Sequence, residues 1–189
     1  YVPMVPIIIF IFKKDFLHWS VWPSVILCLI GGYLLTNFQD ATVRLGDTLV
    51  ILGALFWSTH IIFTGMIIKK YNLPLTIGAI QTLLVALFSF VIGLFSEEFV
   101  IENILNEIDS ILYAGILSGG FAFVLQIYAQ RNITPAPAAI IFSLEGVFAT
   151  IAAWFLLNQI LGINNLLGCF FILSGVLLSQ LVPLIKKTT

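Results

Sequence analysis

One carboxylate stands where a charge is costly. Glu145 lies near the middle of Thr134–Leu157, TPAPAAIIFSLEGVFATIAAWFLL, a long apolar run. The chain has nine acidic residues, and the other eight (Asp15, Asp40, Asp47, Glu97, Glu98, Glu102, Glu107 and Asp109) all fall between such runs. A carboxylate at the centre of a bilayer costs roughly 2.5–3.5 kcal/mol on insertion scales, so an acid placed there points to a site for a substrate, an ion or a proton. His60 is the only potentially cationic side chain inside an apolar run. A His–carboxylate pair could hold an ammonium group, or carry a proton whose release depends on which side of the membrane is open. Trp57, one turn before His60, offers an aromatic wall or a cation–π contact. Gln81 and Gln126 could orient a polar substrate nearer the cytoplasmic side. Each of these residues also has a packing role open to it, and for Glu145 that role is a protonated carboxyl hydrogen-bonded inside a bundle.

The elements that must carry these residues follow from composition. The chain has 189 residues, of which 60% are hydrophobic and 9% charged, with a mean hydropathy of +1.12. Soluble domains are about 25% charged, and a soluble core could not hide this much apolar surface. The class is an all-α, polytopic transmembrane bundle whose first partner is the lipid bilayer. The formal charge of −1 and the lack of a large basic cluster give no surface for nucleic acid. Cys28 and Cys169 both lie in apolar runs, which argues against a disulfide framework or a metal site. No cofactor is expected.

Six full spans are predicted: 20–36, 48–68, 74–95, 110–130, 134–157 and 164–184. Residues 1–12 form half a span, without the charged flank or small-residue cleavage site of a signal peptide. The runs are long and lack apolar–polar alternation, so they are helices and not barrel strands. Glu145, eleven residues past Thr134, is then ~16 Å along its helix, about half the hydrocarbon thickness. Small and polar residues recur at steps of three and four. The sets are Gly115, Gly119, Ala122, Gln126 and Ala129; Thr82, Ala86, Ser89 and Gly93; Gly53, Trp57, His60 and Thr64; and Ala138, Phe142, Glu145, Ala149 and Ala152. Each set is expected to share a helix face along which backbones approach closely.

The basic residues set orientation. Lys13, Lys14, Lys69, Lys70, Arg131, Lys186 and Lys187 fall on one side, and only Arg44 on the other. The first side is predicted to be cytoplasmic, with the C-terminal tail, and the acidic 96–109 loop outside. The two ends of the chain also resemble each other. A shift of 143 residues aligns Ile8 with Ile151, Phe12 with Phe155, Gly32 with Gly175, and Leu34–Leu35 with Leu177–Leu178. The aligned copies run in opposite directions, a signature of secondary transporters built from inverted repeats.

Residues 111–181 resemble the second half of a drug/metabolite transporter of the EamA type. The match is carried by QIYAQ at 126–130, AAIIFSLE at 138–145, VFATIAAWFLL at 147–157, and the run from Gly168 to Leu178 with its two glycines. The resemblance implies ten helices in two inverted five-helix halves. Residues 1–36 would then close the first repeat, 46–184 would form the second, and 185–189 would be a cytoplasmic tail. The first half would lack its opening helices, leaving the cavity to be completed by them or by a second chain. The chain departs from the family pattern at Gly146, where a proline usually follows the glutamate, and at Asn158-Gln159, where Gly-Glu is usual. Glycine still permits a kink at Gly146.

The function implied is a plasma-membrane secondary transporter of small metabolites, expected to export amino acids or related amphipathic compounds and to couple to protons. The candidate residues are Glu145, His60, Trp57, Gln81 and Gln126. A nucleotide-sugar or sugar-phosphate carrier would need cations in the spans, and none carries Lys or Arg. A membrane enzyme would need paired carboxylates, HExxH or a Ser–His–Asp set, which the spans lack. A non-transporting membrane subunit is the remaining alternative.

Overall fold

The computed structural model describes residues 1–13, 17–36 and 45–185, and among these every regular element is helical. Ten α-helices run in order: α1 (Met4–Lys13), α2 (Val21–Leu35), α3 (Leu45–Tyr71), α4 (Pro74–Ser96), α5 (Ile101–Asn106), α6 (Ile108–Leu112), α7 (Phe123–Ala129), α8 (Pro135–Phe142), α9 (Leu144–Leu157) and α10 (Ile163–Ile185). A π-helical segment, Tyr113–Ala122, joins α6 to α7. Five stretches are long and apolar enough to cross a membrane: 45–71, 74–96, 108–129, 135–157 and 163–185. Large apolar side chains such as Leu83, Phe88, Phe148 and Phe170 are exposed on them, as lipid-facing surface requires. The polypeptide is a multi-pass membrane protein.

The sixth expected span, 20–36, is a 15-residue helix, α2. At 1.5 Å per residue it rises about 22 Å, short of a ~30 Å hydrocarbon core. Lys14, Asp15, Asp40, Arg44, Lys186 and Lys187 lie outside the described residues.

The helices group into two compact units, one of residues 1–63 and 133–189, the other of residues 64–132. In the first, α2 and α10 make the most extensive contact. They run antiparallel, because Gly31 meets Gly168 while Ser24 and Cys28 meet Gly175. Glycine is required at this crossing. A Cβ on Gly31 would lie 2.6 Å from the Gly168 carbonyl oxygen, and one on Gly175 would lie 2.8 Å from that of Ser24. Small residues let the two backbones touch, which is how helices associate where no hydrophobic force separates protein from solvent. Helix α8 packs on α1, α2 and α10, and α9 on α10.

In the second unit α4 packs against α7 and the π segment. Gly78 gives the contact its closeness, since a Cβ there would come within 2.9 Å of Val124 Cγ2. The π segment changes one expectation. Gly115, Gly119 and Ala122 lie within it, and i→i+5 bonding widens each turn. Steps of four and three therefore do not stack them on one face with Gln126 and Ala129. Thr82, Ala86 and Ser89 of α4 are exposed.

Local chemistry fixes the ends. Pro74 and Pro135 occupy first turns, where a missing N–H costs nothing. Helix α9 stops at Asn158, which adopts the left-handed conformation at φ 51°. Asparagine tolerates that region better than any residue but glycine, so here it replaces the glycine usual at this corner.

Candidate functional site

The span carrying Glu145 is not one helix. It divides at Ser143 into α8 and α9, and Glu145 falls in the first turn of α9. Ser143 has φ −62° and ψ −15°, and its N–H bonds to Ile140 O at 3.2 Å, three residues back instead of four. The Gly146 N–H likewise reaches Ser143 O at 3.2 Å. The Ser143 hydroxyl donates to Ile140 O at 2.6 Å, competing with the backbone for that carbonyl. The break thus sits three residues before Gly146, where a kink was anticipated, and a serine side chain takes part in it.

The carboxylate opens onto a pocket of about 580 Å³ lined within the first unit by residues of the opening segment, α2, the Ser143 break and α10. The Tyr1 hydroxyl donates to Glu145 Oε1 at 3.3 Å. The Tyr1 carbonyl accepts from Ser58 Oγ of α3 at 3.4 Å, so Tyr1 ties the Glu145 region to that helix. Cys28 lines the pocket from α2, its sulfur 3.4 Å from Ser143 Oγ. Tyr33 and Thr36 line it from the end of α2, and Leu29, Leu35 and Ile172 supply apolar walls. The pocket therefore combines one carboxylate, two phenols and small hydroxyls with an apolar surround. A carboxylate in such a surround can pair with a cation, and tyrosine rings can add cation–π attraction.

The other expected site residues fall elsewhere. His60 and Trp57 belong to the first unit and stack on one another, ring centroids 5.1 Å apart. Neither lines the Glu145 pocket, and the carboxylate's hydrogen bond comes from Tyr1. Gln81 on α4 and Gln126 on α7 belong to the second unit, where both are half-buried. The Gln126 amide nitrogen has no hydrogen-bond partner among the described residues. Tyr1, Cys28 and Ser143 were not expected in the site. Ser143 alone carried a signal, a hydroxyl two residues before an intramembrane acid. No group of three His, Cys, Asp or Glu side chains among the described residues is placed to hold a metal ion.

Comparison with known proteins supplies the identity that geometry does not. The model of the EamA-like transporter family matches residues 44–181. An uncharacterized transporter of Archaeoglobus fulgidus is 29% identical over 187 residues, covering 96% of this chain and 58% of its own length. The uncharacterized transporter YoaV of Bacillus subtilis is 26% identical over 159 residues, 81% of this chain and 52% of its own. Protein WALLS ARE THIN 1 of Arabidopsis thaliana is 27% identical over 166 residues, 84% of this chain and 40% of its own. The chain thus spans about half the length of the relatives it matches. No solved structure matches. With more than half of its residues matched by that model, the chain belongs to the EamA-like transporter family.

Proposed function

We propose that this chain forms part of a secondary transporter that moves small amphipathic metabolites, amino acids or related amines, by alternating access. Glu145 binds the amino end of the substrate, displacing the Tyr1 hydroxyl. The apolar pocket wall takes the hydrophobic end. A proton competes with the substrate for the same carboxylate, which couples flux to a proton gradient. Export across the plasma membrane, with the C-terminal tail in the cytoplasm, is the direction we assign. His60, Trp57, Gln81 and Gln126 serve other stations on the path. Ten helices in two inverted halves complete the carrier, residues 1–36 closing the first repeat and 46–184 forming the second.

The observation that carries this reading is a carboxylate near the middle of its span, at a break in that span and open to a pocket. Discontinuous helices that expose polar groups near the midplane are how many secondary transporters build their binding sites. The antiparallel α2–α10 crossing supports the inverted arrangement, since the last helices of two inverted repeats must run in opposite directions.

The test is flux of phenylalanine and phenethylamine by the complete carrier in proteoliposomes, with and without a proton gradient. Glu145→Gln keeps shape and hydrogen bonding but removes the charge. The account expects a drop of at least about tenfold, or ~1.4 kcal/mol, for whichever probe the wild type carries. Unchanged flux from Glu145→Gln would remove the carboxylate from the mechanism, and a wild type moving neither probe would count against the substrate class.

A further inference from the structure

We propose that Ser143 is a positioning residue for Glu145, one whose side chain breaks the span and so determines which way the carboxylate faces. The proposal rests on the transport reading above for its functional consequence, but its structural half stands apart from it.

Four observations converge on Ser143. The first is the bond from its hydroxyl to Ile140 O, at 2.6 Å the shorter of its two polar contacts. In an uninterrupted α-helix that carbonyl belongs to the N–H of Leu144, four residues on. The second is the change of backbone pattern, because the Ser143 and Gly146 N–H groups both bond three residues back. Three-residue turns advance about 20° more per residue than α-turns. Across Ser143, Leu144 and Glu145 this rotates the carboxylate by roughly 60° from where a continuous helix would point it.

The third observation is the seat of the break. Ser143 Oγ lies 3.4 Å from Cys28 Sγ on α2, and a Cβ on Gly175 of α10 would lie 2.9 Å from that same sulfur. Cys28 therefore fills the space between the break and the tightest helix crossing in the unit. The fourth is Gly146. A Cβ there would lie 3.3 Å from Leu35 Cδ1 and 3.8 Å from Ile172 Cδ1, so the first turn of α9 already rests on α2 and α10. Its N–H is engaged with Ser143 O, so the break does not depend on a missing donor at that position. A proline kink works by removing the donor, whereas this one works by giving a carbonyl a second, side-chain donor.

Serine back-bonding often does no more than bend a helix, so the test must separate a bend from a positioning role. Hydrogen–deuterium exchange of the chain in lipid nanodiscs reads the break directly, comparing wild type with Ser143→Ala and Ser143→Thr. Alanine removes the competing donor and favours helix, while threonine keeps a hydroxyl at the same atom. The expected result is exchange at residues 143–146 at least tenfold slower in Ser143→Ala and unchanged in Ser143→Thr. In the complete carrier, the maximal rate should fall at least fivefold in Ser143→Ala and return in Ser143→Thr, with protein levels equal. Cys28→Ala should leave the break in place and loosen its seat, raising exchange at residues 143–146.

Unchanged exchange in Ser143→Ala would overturn the assignment of the break to the hydroxyl. Slowed exchange with wild-type flux would overturn the positioning role and leave the transport reading intact. A wild type that carries neither phenylalanine nor phenethylamine would count against the transport reading, while the exchange comparison would still decide the origin of the break.

Discussion

Gly31 and Gly32 are neighbours on one helix, yet the structure assigns them opposite sensitivities. A Cβ on Gly31 would lie 2.6 Å from Gly168 O, 2.6 Å from Ile172 Cγ1 and 3.0 Å from Ile172 N. Ordinary carbon–oxygen contacts begin near 3.3 Å, so α2 and α10 must separate by roughly 0.7 Å to admit a methyl group. Two of the three opposing atoms are backbone and cannot rotate away. Overpacking of this kind costs about 1–3 kcal/mol, and the double backbone contact places Gly31→Ala at the upper end. Alanine regains up to about 1 kcal/mol of helix propensity, leaving a net loss near 2 kcal/mol. At about 2–4 °C per kcal/mol for a chain of this size, the melting temperature should drop by about 4–8 °C. Gly32 has nothing within 4 Å of a Cβ, so Gly32→Ala gains propensity without strain and should melt at or slightly above the wild type. The assay is thermal unfolding in detergent, followed by size-exclusion recovery. Gly31→Ala melting with the wild type, or Gly32→Ala falling as far, would refute the close crossing of α2 and α10.

Tyr1→Phe removes the donor to Glu145 but keeps the ring. Since the amine must displace that hydroxyl, its loss should lower the apparent KM for flux in proteoliposomes by about two- to tenfold, and an unchanged or higher KM would refute the displacement. Asn158→Gly should melt at or above the wild type, whereas Asn158→Ala should lose about 1 kcal/mol, because alanine resists the left-handed conformation at φ 51°. Thermal unfolding in detergent reads both. Single cysteines placed at residues 96–109 in a background with Cys28 and Cys169 replaced should react with an impermeant thiol reagent added outside intact cells. A cysteine near Lys69 should not, and reversed labelling would overturn the orientation drawn from the basic residues.

What the sequence shows most plainly are the features set by composition along one axis. The helical class, the approximate spans and the isolation of Glu145 all follow from where charges can stand in a membrane. The glycines at Gly168 and Gly175 also stood out, although their partner helix did not. What the sequence hides depends on local geometry or on contacts between distant segments. The bond from Ser143 to Ile140 is a choice of side-chain rotamer, invisible in the letters SLE. The π segment spoils the stripe of Gly115, Gly119 and Ala122 because a three–four spacing has meaning only in an α-helix. Tyr1 bonds Glu145 across 144 positions of sequence and Cys28 meets Ser143 across 115, which no local pattern encodes. The expected pairing of His60 with Glu145 rested on charge and on similar depth in the membrane, neither of which encodes the ring contact that His60 makes with Trp57.

Whether Glu145 faces the substrate is decided by chemical protection. A hydrophobic carbodiimide reacts with carboxyl groups in apolar surroundings, and the modified residue is read by mass spectrometry of the complete carrier in proteoliposomes. Modification is expected at Glu145, slowed at least threefold by saturating phenylalanine or phenethylamine and not by an uncharged analogue such as phenylethanol. Modification of Glu145 at the same rate with and without either amine would contradict a carboxylate that faces the substrate.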